Sequence, residues 1–147
     1  MKKLCVLLLM VCFTAHAEYI YEMDHPALTD DNIMVTGVEF NKNSTVIHLN
    51  FHLLPYEAFA DLWIAPPDSP EAFVILDPAT KHVYMMTDYA DIPVPPDKIR
   101  VEPGKQHRFS LIFEKIPMRH FHLIEGLPSE RKAGQIYWDF IGISLPR

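Results

Sequence analysis

In the stretch Thr45-Val46-Ile47-His48-Leu49-Asn50-Phe51-His52-Leu53, the apolar residues Ile47, Leu49, Phe51 and Leu53 alternate with His48, Asn50 and His52. A period of two belongs to an extended strand with one face in a core and the other toward solvent, whereas a helix would repeat at three and four. The segment before it, residues 33–40, is also largely apolar. Between the two lies Asn41-Lys42-Asn43-Ser44, a polar run whose residues tolerate tight turns. Residues 33–53 therefore read as a β-hairpin.

The same pattern recurs toward the C-terminus. Residues 72–76 and 82–87 form a second expected hairpin across Asp77-Pro78-Ala79-Thr80, and Phe109, Leu111 and Phe113 share one face of residues 108–114. Residues 120–124 and 136–145 are the last expected strands. Residues 56–64 fit either a helical turn or a short strand, and Ala65-Pro66-Pro67-Asp68-Ser69-Pro70 breaks both. Ile92-Pro93-Val94-Pro95-Pro96 is excluded from a central strand, because proline has no N–H to give to the ladder. The total is about seven or eight short antiparallel strands, the pattern of an all-β sandwich, with Trp63 expected to pack between the sheets. The segment 18–32 is acidic and interrupted by Pro26, so it reads as a lead-in to a domain spanning 33–147.

The chain opens with MKKLCVLLLMVCFTAHA, which has Lys2 and Lys3, an apolar run and Ala15-His16-Ala17. The run is about half of the roughly 20 residues a membrane-crossing helix requires, so residues 1–17 read as an export signal cleaved before Glu18. A periplasmic or secreted protein follows, with no transmembrane segment after cleavage. Val11 stands before Cys12 where lipid attachment favours a small residue, which argues for soluble export over a lipid anchor. Removing Lys2 and Lys3 from 13 basic residues leaves 11 against 19 acidic ones, a net charge of −8. That charge excludes condensation on nucleic-acid phosphates. Cys5 and Cys12 both leave with the signal, so disulfide, thiolate and cysteine–metal chemistry leave too. At 147 residues, 49% hydrophobic and 22% charged, the chain suits one folded domain.

Val38-Glu39-Phe40, Ser44-Thr45-Val46-Ile47-His48, Trp63-Ile64, Pro103-Gly104, Phe109-Ser110-Leu111-Ile112-Phe113, Phe121-His122-Leu123-Ile124-Glu125-Gly126 and Gly142-Ile143-Ser144-Leu145 follow one another in that order. This series resembles an uncharacterised family of exported bacterial immunoglobulin-like β-sandwich domains, sometimes found ahead of thioredoxin-like domains. Members tend to carry His-x-His in the second strand and an aspartate at the place of His122. Here the second strand has His48-Leu49-Asn50. The resemblance implies a fold and a compartment. It implies no catalytic residue.

Two sets of side chains could bind something. Met118, His120 and His122 are spaced by two, and His48 and His52 by four, so each set shares one face of its strand. Imidazole with thioether sulfur is a donor set for Cu or Zn if those strands meet; otherwise the histidines are the solvated face. The aromatics Tyr56, Phe59, Trp63, Tyr84, Tyr89, Tyr137 and Trp138 suggest a carbohydrate or peptide surface, with Tyr56 and Tyr89 as the expected contact points. Glu22, Asp24, Asp30 and Asp31 lack the spacing and glycine of a Ca²⁺ loop. No serine sits in a Gly-x-Ser-x-Gly elbow, and no glycine-rich phosphate loop occurs. The expected function is a non-enzymatic module that binds another envelope protein or a surface ligand and uses no cofactor. A Cu- or Zn-binding periplasmic protein is the alternative. A hydrolase, the third possibility, would need convergent polar groups with perturbed pKa values in one pocket.

Overall fold

The computed structural model describes residues 19–147. The expected export signal, both cysteines and the cleavage position before Glu18 lie outside them. Among the described residues there are ten strands: β1 (Tyr19–Pro26), β2 (Ile33–Phe40), β3 (Ser44–His52), β4 (Ala60–Leu62), β5 (Phe73–Leu76), β6 (Val83–Ala90), β7 (Ile99–Val101), β8 (Gln106–Glu114), β9 (His120–Glu125) and β10 (Asp139–Ser144). The only helical element among them is a single 3-10 turn at Pro128–Glu130. No described helix is long and apolar enough to cross a membrane.

Eight strands join edge to edge in the order β1-β2-β3-β8-β6-β5-β9-β10, and β4 pairs with β7 as a separate ribbon. Every pairing is antiparallel. The sheet is nearly barrel-shaped. β6 is shared between two neighbours: its first half (Val83, Tyr84, Met85) pairs with β5, and its second half, from Met86, pairs with β8 across a bulge between Met86 and Asp88. A bulge bends a strand and raises its twist, which lets one strand serve two directions of the sheet.

The hairpin β2–β3 forms as the alternation requires. Ile47, Leu49 and Phe51 are buried, and His48 and His52 lie on the other face. Phe73, Phe109, Phe113, Phe121 and Phe140 fill the interior with Ile33, Ile75, Leu111 and Leu123. Each such side chain contributes about 1.5–3 kcal/mol by leaving water. The one buried polar residue described, Thr45, uses its hydroxyl to accept the Ile116 amide at 3.1 Å.

Two local expectations need correction. Residues 19–26 of the presumed lead-in form strand β1, paired with β2. Glu22 and Asp24 project outward between the half-buried Tyr21 and Met23, and Pro26 is tolerated because it ends an edge strand. Trp63 does not pack between layers; it is 49% exposed. Around β4, Leu62 and Ile64 take the core, so Phe59, Asp61 and Trp63 fall on the outward set.

The ring of strands is closed between β1 and β10 mainly by side chains. His25 Nε2 donates to the Ile141 carbonyl at 2.8 Å. Arg119 donates to the Tyr21 hydroxyl and, at 2.6 Å, to the Pro146 carbonyl. One backbone bond, Leu28 N to Asp139 O at 2.7 Å, completes the seam.

Candidate functional site

At the end of the molecule where β9 stops and β10 begins, a cleft of about 480 Å³ opens between β4 and the 126–138 connection. Its size lies within the roughly 300–1,000 Å³ of small-ligand sites. Trp63 and Ile136 form the rim, at 49% and 80% exposure. Tyr137 and Trp138 line it further in, and Asp30, Asp61, Glu71 and Glu125 supply four carboxylates.

Each carboxylate is held in place. Asp61 takes Lys98 at 3.0 Å and Arg100 at 3.3 Å, and these cations, Lys98 foremost, hold its carboxyl below the usual range. Glu71 takes Lys132 at 2.9 Å. Asp30 Oδ2 accepts the Trp138 indole N–H at 2.9 Å, and its Oδ1 accepts the Asn32 amide at 2.9 Å. Glu125 Oε2 accepts the Trp138 amide at 2.7 Å. Burial pushes the Glu125 carboxyl up to about 7. Asp139 and Glu71 add to the rise, and the Trp138 amide and Arg131 oppose it. Gly126 brings the walls together: its φ is +71°, and a Cβ there would stand 3.2 Å from the Glu71 Cα.

The connection that carries Ile136 is braced rather than loose. Arg131 grips Asp139 through both carboxylate oxygens, donates to the Glu125 carbonyl at 3.2 Å and lies 4.9 Å over the Tyr137 ring. The Tyr137 hydroxyl accepts the Lys132 amide at 2.9 Å and donates to Gln135 at 2.8 Å. Trp138 packs against Phe51 of the core at 6.2 Å between ring centres. Its indole and amide, bound to Asp30 and Glu125, tie the cleft floor to two walls.

The histidine and methionine candidates do not assemble into one site. β3, bearing His48 and His52, and β9, bearing His120 and His122, are separated in the sheet by β8, β6 and β5. Among the described residues, no group of three or more His, Cys, Asp or Glu is placed to hold a metal. The His122 Nδ1 accepts the Gly142 amide at 2.8 Å, which commits the single lone pair of a neutral imidazole. Burial, then charge on His120 and Lys81, holds His122 below its ordinary pKa. His120 lies near it, ring centres 6.0 Å apart, and bonds Ser144 at 2.7 Å, while Met118 leans on the core. His52 is exposed at the end of β3.

His48 belongs to a cross-strand relay instead, with Nδ1 2.8 Å from the Ser110 hydroxyl and Nε2 3.1 Å from Glu39. It borders a hollow of about 680 Å³ on the outer face of β1, β2, β3 and β8. The chain Ser–His–carboxylate has the composition of a nucleophilic triad. Ser110, however, pairs with His48 on one side, inside the unbroken β3–β8 ladder, and with Ala90 at the end of β6 on the other. Backbone amides so committed leave no donors for an oxyanion.

Of the expected aromatic contacts, Tyr56 is 83% exposed, and Tyr89 is half-buried against the core. Neither lines the cleft. Comparison with described protein families, with curated proteins and with solved structures finds no match to this chain.

Proposed function

We propose that the chain is a non-enzymatic interaction module exported to the bacterial cell envelope, of the immunoglobulin-like β-sandwich class, that engages a partner or surface ligand through the Trp63–Ile136 cleft. One observation carries this reading: Ile136 stands in water on a loop fixed by Arg131, Lys132 and Tyr137, across the cleft from the half-exposed Trp63 beside β4. Exposed apolar surface beside orienting polar groups is the usual form of a recognition site. Export rests on the reading of residues 1–17 and on the family resemblance. The relay at His48 argues against acyl transfer, because it has no oxyanion donors.

A photo-crosslinking residue placed at Ile136, and a control placed at the exposed Met85 on β6, test the reading on an envelope fraction. Adducts, protein or glycan, are expected at position 136 and not at 85, and Trp63→Ala should remove them. Equal labelling at both positions, or none at 136, would sink the assignment of the cleft.

A carboxylate-based hydrolase is the second reading, favoured by Glu125. A group poised near pH 7 in a cleft beside an ionised carboxylate such as Asp61 has the protonation pattern of an acid with a partner base. Asp61 and Glu71 are each neutralised by cations, which makes them weak bases. Whether a bound ligand stays intact separates the two readings.

A further inference from the structure

Resting on the cleft reading above, we infer that the occupant is a neutral saccharide, with an apolar ring face against Trp63 and hydroxyl groups donated to the carboxylates of the cleft. The cleft lining is rich in acceptors and holds no lysine or arginine: Asp30, Asp61 and Glu71 call for a ligand that brings hydrogens, and Glu125, its carboxyl pushed up to about 7, can accept a hydrogen or give one. Sugar hydroxyls bring them in number. Sugar rings also carry C–H faces, which suit the flat, half-exposed indole of Trp63 and the aromatic wall of Tyr137 and Trp138.

Charge separates this ligand from a cationic one. Lys98, Arg100 and Lys132 already neutralise Asp61 and Glu71. An ammonium or guanidinium group would compete with those cations for little remaining attraction. A neutral polyol meets no such opposition. A carboxylate keeps about four lone-pair sites, so Asp61 and Glu71 can hold their cations and still accept hydroxyl donors. Fixing the acceptors beforehand spares the ligand the cost of ordering them.

The probes are cellohexaose, maltohexaose and chitohexaose, with tetralysine as the cationic comparator. Each is titrated into the described domain by calorimetry and tryptophan fluorescence, and the mixture is then checked for cleavage by mass spectrometry. At least one hexaose is expected to bind and to shift the emission. Trp63→Ala should weaken that binding about tenfold, the scale of one lost stacking contact. Because Trp63 is solvent-facing, the variant should melt as the parent does. About 0.5 M NaCl should leave the affinity unchanged, since no net charge is paired.

Binding of tetralysine alone, no hexaose binding at about 5 mM, or hexaose binding indifferent to Trp63→Ala would each overturn the inference. If crosslinks at position 136 persist after such a result, the cleft reading stands and only the ligand class falls. Cleavage of a bound hexaose would keep the saccharide and remove the non-enzymatic reading.

Discussion

The outer face around His48 and the cleft around Trp138 are both built from polar side chains on strands, yet they end differently. On the outer face, Glu39, His48 and Ser110 satisfy one another across three neighbouring strands. In the cleft, Asp61 and Glu71 are paired with cations, and the indole and amide of Trp138 hold Asp30 and Glu125, while Trp63 and Ile136 remain exposed. A regular ladder lets polar groups face each other and finish their bonding. Where loops meet strand ends, acceptors keep spare capacity and apolar groups lack cover, and a ligand can supply both.

Arg131→Ala is the strongest way to break this contrast. It removes a two-oxygen grip on Asp139 and leaves that half-buried carboxylate, beside Glu125, without a counter-charge, which should cost about 2–3 kcal/mol, the worth of charge-assisted hydrogen bonds in a partly solvated pair. Urea unfolding measures the loss, and faster amide exchange confined to 132–138 would place it in the connection; uniform exchange would contradict the brace.

Glu125→Gln has the next largest effect. The folded carboxyl titrates near 7 against an ordinary 4.5, so the native state holds its proton more tightly than the unfolded chain. The stability it contributes is fully present below about pH 4.5 and is lost as pH rises through about 7. Allowing for partial exposure, the parent should lose roughly 2 kcal/mol across that window, and the glutamine variant should show a flatter profile. An unchanged slope between pH 4.5 and 7 would show that Glu125 is solvated.

Ser110→Ala should cost about 1 kcal/mol, the worth of one hydrogen bond to His48. It should leave any cleft ligand bound as before. A tenfold change in that affinity would mean that the two faces are coupled.

Much of the wall was legible in the chain, and the reason is local. In residues 45–53, one alternating set is wholly apolar and the other polar, so the inward face is decided without knowing the neighbours. β1 is hard to see in the sequence because its outward positions are acidic and Pro26 closes it, which makes a strand read as a lead-in segment. Around β4 both alternating sets carry large apolar residues: Phe59 and Trp63 on one, Leu62 and Ile64 on the other. Only Asp61 marks the first as solvent-facing. The cleft was out of reach for a different reason. Asp30, Asp61, Glu71 and Glu125 lie on four separate segments, and antiparallel register, not spacing, brings them together. The histidines show the converse, since a shared strand face gave His120 and His122 proximity but left His48 three intervening strands away.

The side-chain seam between β1 and β10 also orients the whole domain. Arg119 touches both Tyr21 and Pro146, so the first and last described segments leave from the same rim. Asp30 and Trp138 mark the opposite rim, about 20 Å away along the strands. A tag or surface attachment joined after residue 147 would therefore sit at the rim away from the cleft and leave the cleft open to solvent.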